Sequence, residues 1–157
     1  MNRQEILQGL HERFPEDITS VFEKSAKRVY IEIKAGAIVQ MAHYLFKEIG
    51  ARFNIASGVD NRDNMEILYH FTEEAIDLVI SLRVTLQKTE LEINSLTPVF
   101  PAAQWIEQEI HELLGINFIG HPQLKRLLLP EDWPEGVHPL RKDYKEWDPN
   151  AIRDRGV

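Results

Sequence analysis

Hydrophobic positions along the chain recur with two periods, and the switches between them mark out the elements. Ile6, Leu7, Leu10 and Phe14 stand three and four residues apart, as on a helix with one apolar face. Asn2 is placed to cap its start and Pro15 to close it. Two short strands follow at about 18–22 and 28–33, the second alternating Val29, Ile31 and Ile33 toward one side. From Ala35 to Ile49 the period is helical again, with Ile38, Ala42, Leu45 and Ile49 on one stripe and Gly50 where a C-terminal cap belongs. Further strands are predicted at about 52–57, 65–72 and 76–86, divided by Asp60-Asn61-Arg62-Asp63-Asn64 and by Glu73-Glu74. Such short links favour antiparallel neighbours. Met65, Ile67, Tyr69 and Phe71 point one way, and Ile76, Leu78, Ile80, Leu82, Val84 and Leu86 continue the alternation. The opposite face is more polar, either wet or covered by a partner.

This pattern predicts an α+β fold over residues 1–95, a mostly antiparallel sheet with helices packed on one face. A connecting strand end and helix occupy 96–117, the helix running from near Pro101 to Leu114 and stopping at Gly115. Residues 118–157 then form an extended Pro-rich C-terminal arm, because five of the eight prolines fall between Pro122 and Pro149. The arm still carries Leu124, Leu127, Leu128, Leu129, Trp133, Leu140, Tyr144 and Trp147, too much apolar surface for a solvated linker. Roughly 40 extended residues reach far past one small domain. A neighbouring subunit is therefore expected to be the main cover.

Composition narrows the function classes. A chain of 157 residues suits one domain and buries roughly 70% of its unfolded surface. With 43% hydrophobic and 27% charged residues it is of globular, not disordered, type. The balance of 18 basic against 25 acidic side chains, net -7, argues against a nucleic-acid groove or an anionic lipid surface. No apolar run approaches the roughly 20 residues that span a bilayer, and Met1-Asn2-Arg3-Gln4-Glu5 lacks a signal peptide's apolar core. A cytoplasmic chain without direct membrane insertion is expected. With no cysteine it can supply no thiolate to an iron–sulfur cluster, so any redox chemistry it serves is held on other chains.

Local motifs mostly exclude. His111-Glu112-Leu113-Leu114-Gly115 begins like the zinc-protease helix, but Gly115 stands where the second histidine belongs. Glu107 and His111, with His121 from the following loop, are the alternative metal site of a stand-alone metal-dependent enzyme, although a surface helix pair is the commoner meaning of that spacing. No phosphate-binding loop, G-x-G-x-x-G or G-x-S-x-G occurs. Lys125, Arg126, Arg141, Lys142, Lys145, Arg153 and Arg155 interleave with aromatics as in RNA binders, yet Asp132, Asp143, Glu146, Asp148 and Asp154 interrupt them. Glu109 points about 60° from Ile106, inside the apolar arc from Trp105 to Leu114. Either it is partly buried and needs a positive partner, with Arg126 and Arg141 as candidates, or it bends out to water.

The segment from Pro101 to Ile116, PAAQWIEQEIHELLGI, is followed by His121-Pro122, by Arg126-Leu127-Leu128-Leu129-Pro130-Glu131-Asp132-Trp133 and by Pro139-Leu140-Arg141-Lys142-Asp143-Tyr144. In this order the motifs resemble the thirty-kilodalton subunit family of respiratory complex I, the NADH:quinone oxidoreductase. That family also supplies a subunit to membrane-bound, energy-converting nickel–iron hydrogenases and related dehydrogenases. Gly58-Val59-Asp60 and Leu68-Tyr69-His70-Phe71 match more loosely, and the first fifty residues match only in layout. Gln108 stands where the family usually has Arg, Glu112 for Asp, His111 for an aromatic and Leu114 for Phe, which puts any ion pair of that Arg in doubt. Residues 110–116 and 133–139 look more like the hydrogenase branch.

The resemblance implies a non-catalytic, cofactor-free assembly subunit, peripheral on the inner face of the cell membrane. Its partners would be the catalytic large subunit, similar to the forty-nine-kilodalton subunit of complex I or a hydrogenase large subunit, and a cluster-bearing small subunit. Those chains would hold the iron–sulfur clusters and, in the hydrogenase branch, the nickel–iron centre. The implied signature and interface residues are Glu107, Glu109, His121, Pro122, Leu124, Arg126, Asp132, Trp133, Pro139, Leu140, Arg141, Lys142, Asp143 and Tyr144. Arg141, Lys142 and Asp143 are expected to orient the arm through charge-assisted hydrogen bonds, and Trp133, Leu140 and Tyr144 to fill partner pockets.

Overall fold

A capping box starts the chain's first helix, α1 (Arg3–Arg13): the Asn2 side chain accepts from the Glu5 amide at 3.0 Å, and the Glu5 carboxylate accepts from the Asn2 amide at 2.8 Å. The structure, a computed structural model, describes residues 1–145. Glu146, Trp147, Asp148, Pro149, Arg153, Asp154 and Arg155 lie outside the described residues.

Five strands, β1 (Ile18–Ser25), β2 (Arg28–Ile33), β3 (Arg52–Asp60), β4 (Asn64–Glu73) and β5 (Leu78–Gln87), form one sheet in the order β1-β2-β5-β4-β3. Neighbours joined by short links are antiparallel, as their links require, while β5 returns beside β2 in parallel, Ile31 opposite Leu82. The fold is the α+β class read from the sequence. Strict alternation puts Val29, Ile31, Ile33, Met65, Ile67, Tyr69, Phe71, Ile80, Leu82 and Val84 on the covered face, all at 3% exposure or less. Ile6 and Leu10 of α1 pack there, beside Ile38, Met41 and Leu45. The predicted helix from Ala35 to Ile49 is a 3-10 turn (Ala35–Ala37), then α2 (Ile38–His43), then a π-helical turn (Tyr44–Ile49) ending on Gly50 at φ +86°. On the open face Arg83 lies over the Tyr30 ring at 5.6 Å, and Phe22 is exposed beside it.

Two local expectations are corrected. Strand β5 begins at Leu78, because Glu74–Ile76 make a 3-10 turn and Asp77 is left-handed at φ +53°, a bend that the apolar alternation does not reveal. Two unpredicted three-residue strands, β6 (Glu92–Asn94) and β7 (Asn117–Ile119), flank the segment read as a connection and pair in parallel, with Ile93 opposite Phe118. Neither is long enough to show an alternation.

The last helix, α3 (Ala103–Leu114), lies against β3. Gly58 permits this. It pairs with Ile67 and so shares its face, and a Cβ there would come within 2.4 Å of Leu114 Cδ1 and 3.4 Å of Ile110 Cγ2.

Candidate functional site

The C-terminal end of α3 is where the arm meets the sheet domain. A helix leaves its last carbonyls without intrahelical partners, and each must find a donor or water. Here the Gly115 amide takes the His111 carbonyl at 2.8 Å, the ordinary left-handed cap with φ +78°. The next three are taken by the arm. His138 Nδ1 donates to the Glu112 carbonyl at 2.9 Å, the Leu140 amide to Leu113 at 3.1 Å, and Arg141 Nε to Leu114 at 2.7 Å. Gly115 makes this approach possible, since a Cβ there would meet Arg141 Nη2 at 2.4 Å and His138 Nε2 at 2.6 Å.

Two carboxylates hold the arm on either side of that contact. Glu112, buried on α3, accepts from three successive arm amides, Leu127 at 3.2 Å, Leu128 at 2.9 Å and Leu129 at 3.0 Å. Asp60, the last residue of β3, accepts from the Lys142 amide at 2.8 Å and pairs with the Lys88 ammonium at 2.7 Å. Burial pushes the Asp60 carboxyl up, but the bonds from Lys88 and the Lys142 amide and both ammonium charges outweigh it, leaving it below the ordinary 3.8. Burial lowers the His138 imidazole below its ordinary 6.5; the bond to the Glu112 carbonyl opposes this, and the charges of Arg141 and His111 add to it.

The arm's main chain is thus anchored at Leu127, Leu128, Leu129, Leu140 and Lys142 while several of its side chains are not covered. Leu127, Leu128 and Leu140 are exposed. Trp133 stacks on Tyr144 at 6.2 Å and donates from Nε1 to the Val137 carbonyl at 2.9 Å. The cleft between arm and helix, about 230 Å³ and lined by Glu112, Arg126, Trp133, Val137 and His138, is smaller than the roughly 300–1,000 Å³ of ordinary small-molecule sites.

Residues 31–149 match the family model described as the respiratory-chain NADH dehydrogenase 30 Kd subunit. The chain belongs to that family. Among curated relatives of this 30 kDa family, a subunit of the F(420)H(2) dehydrogenase of Methanosarcina mazei is 33% identical, covering 98% of this chain and 99% of its own length. Hydrogenase-4 component G of Escherichia coli is 31% identical over 93% of this chain, which spans only 27% of that protein. Formate hydrogenlyase subunit 5 of Escherichia coli is 28% identical over 92% of this chain and 26% of its own length. A chain from the membrane-bound sulfane sulfur reductase, an archaeal respiratory membrane complex, has the same fold, with a TM-score of 0.79 at 17% identity over 98% of this chain and 91% of that one.

Within this 30 kDa-type chain the sequence-predicted site residues separate into three groups. Glu107 and His121 are internal. Glu107 accepts from Ser95 Oγ and from the Leu96 amide, both at 2.6 Å; burial raises its carboxyl above the ordinary 4.5, opposed by those two bonds and by His121. His121 donates from Nε2 to the Gln104 carbonyl at 2.9 Å and accepts at Nδ1 from the Gln123 amide at 2.9 Å. His111 donates to the Ile116 carbonyl at 2.8 Å, so the alternative metal set of Glu107, His111 and His121 is not brought together. Among the described residues no group of three potential ligands converges.

Arg126, Arg141, Lys142, Trp133 and Tyr144 form the arm's own framework. Arg126 donates to the Pro130 carbonyl at 2.7 Å and to that of Trp133. Lys142 acts on Asp60 through its amide, with its ammonium charge adding to the effect. The expectation that Arg126 or Arg141 pairs with Glu109 is corrected, because both guanidinium groups are drawn to main-chain carbonyls. The remaining residues lie at the surface: Pro122, Asp132, Leu140 and Asp143 are exposed, Pro139 is half-buried, and Leu124 packs partly on the core. Sequence reasoning missed Glu112 as an anchor, treating it as part of an incomplete zinc-protease motif and as a departure from the family pattern, and missed the anchoring role of Asp60. Glu112 faces main-chain amides, so no complementary charge in the sequence betrays it.

Proposed function

We propose that this chain is a non-catalytic assembly subunit of a membrane-bound redox complex, docking on the catalytic large subunit through the arm and the adjoining surface of α3. One observation carries the reading: the arm's backbone is held by α3 and β3, yet Leu127, Leu128 and Leu140 face solvent. A loop that only had to close the fold would turn such side chains inward; three held outward suit a protein partner. The relatives support the setting. In hydrogenase-4 component G the counterpart of this chain is about a quarter of a longer polypeptide, as suits a module whose neighbours belong to one assembly.

The complex is taken to be of the energy-converting hydrogenase type, on the strength of residues 110–116 and 133–139. The nearly full-length match to an F(420)H(2) dehydrogenase subunit favours a second reading, a complex I-type dehydrogenase. In both the electrons are carried by other chains and this one sits peripherally on the inner face of the membrane. Among the described residues no helix is long and apolar enough to cross it.

The test is co-purification. Leu128→Asp with Leu140→Asp should leave the chain folded by circular dichroism and abolish recovery of the large subunit with a tagged chain; undiminished recovery refutes the docking role. Nickel in the wild-type assembly selects the hydrogenase type, and its absence selects the dehydrogenase.

A further inference from the structure

Among the described residues Glu109 lies in an apolar surface without a counter-charge. Its side chain borders two adjoining grooves between α3 and β3 that share Ile55 and Ile106; Leu113 and Leu140 continue one, Trp105 and Leu127 the other. The rim is open, with Trp105 72%, Leu140 60%, Ile55 49% and Leu127 44% exposed. Glu109 is half-buried and makes no side-chain hydrogen bond or ion pair among the described residues. A carboxylate that becomes fully dry when such a surface is covered, and stays unpaired, strongly opposes the covering.

We propose that this surface receives an arginine of the large subunit, its guanidinium seated between the Glu109 carboxylate and the Trp105 ring, with aliphatic neighbours filling the flanking grooves. The inference rests on the assembly reading and names its central contact. Trp105 and Glu109 are four residues apart on one helix face, close enough for one planar cation to meet both. Arginine fits better than lysine, because guanidinium is weakly hydrated, stacks on aromatic rings and makes two parallel bonds to a carboxylate. A second copy of this chain is disfavoured, since a two-fold contact centred here sets Glu109 against its own counterpart. An anionic lipid surface meets a carboxylate on a chain of net charge -7.

The experiment compares wild type, Glu109→Gln, Glu109→Leu and Glu109→Arg, each tagged and expressed with the native complex, measuring large subunit retained over a salt series and the melting temperature of the isolated full chain. If a cation occupies the site, Glu109→Leu binds the large subunit roughly 30-fold or more weakly despite its greater apolarity, Glu109→Arg more weakly still, and Glu109→Gln between wild type and Leu. The isolated chain melts at the same temperature or higher. Retention of Glu109→Leu equal to or above wild type overturns the inference alone. A lower melting temperature for isolated Glu109→Leu assigns the pair to this chain's own residues, and a Glu109-dependent dimer of the isolated chain assigns it to a second copy; each overturns the proposal. A wild-type chain that retains no large subunit overturns the assembly reading itself.

Discussion

Arg141 Nε donates to the Leu114 carbonyl at 2.7 Å, so a side chain 27 residues further along the sequence closes the end of α3. The contact depends on Gly115. Gly115→Ala would strain a left-handed position by about 1–2 kcal/mol and place a methyl group where Arg141 and His138 stand. The variant should keep the sheet intact by circular dichroism while trypsin cleaves after Lys125 or Arg126 much faster than in wild type; an unchanged cleavage rate would contradict this.

Glu112 is the arm's other anchor. Removing its carboxylate leaves the amides of Leu127, Leu128 and Leu129 without their acceptor, a loss of about 1–3 kcal/mol. Glu112→Ala should raise hydrogen exchange at those three amides above the rest of the chain, and Glu112→Gln, which keeps one acceptor, should raise it less. Uniform exchange across the chain would show that the loop is held by something else.

Tyr69 presents the opposite case. Its hydroxyl is buried under the sheet with no hydrogen-bond partner among the described residues, and burial, with the nearby Glu107 charge, raises its pKa well above the ordinary 10. Tyr69→Phe removes an unsatisfied polar atom and keeps the ring, so the melting temperature should hold or rise. A clear fall would reveal a partner for the oxygen.

The arm's attachment should weaken in acid in two steps. His138 has a folded pKa below 6.5, so its contribution is complete above 6.5 and declines as pH falls through the lower folded value. Asp60 likewise has a depressed folded pKa, so its contribution is present above 3.8 and is lost as pH falls through the value in the fold. Trp133 fluorescence followed from pH 7 downward should report the first step before global unfolding, and His138→Gln should remove it. A single cooperative transition in both proteins would rule out the stepwise picture.

Much of this architecture is legible in the sequence where it is local. The Asn2 cap, the alternation of β2, β4 and β5 and the end of α3 at Gly115 each follow from neighbours within a few positions. The pairing of β2 with β5 joins residues about fifty apart, and nothing local encodes it. The arm illustrates the same limit. Its prolines predict an extended arm covered mainly by a neighbouring subunit, and nothing in them foretells that its described part is held on α3 through the amides of Leu127, Leu128, Leu129 and Leu140. The gripping groups are main-chain amides and carbonyls, which every residue possesses and no motif displays. Glu109 is readable as a carboxylate on an apolar stripe; the expected arginines fail because the unsatisfied helix end and the turn at Pro130 engage them first.

Glu112 grips three peptide groups and none of the leucine side chains they carry. Its hold would survive almost any exchange of residues 127 and 128, proline excepted, because proline has no amide hydrogen to give. The geometry of the loop and the chemistry it displays are therefore separable, so new side chains could be mounted on the same bracket to suit a different neighbour without rebuilding the fold beneath.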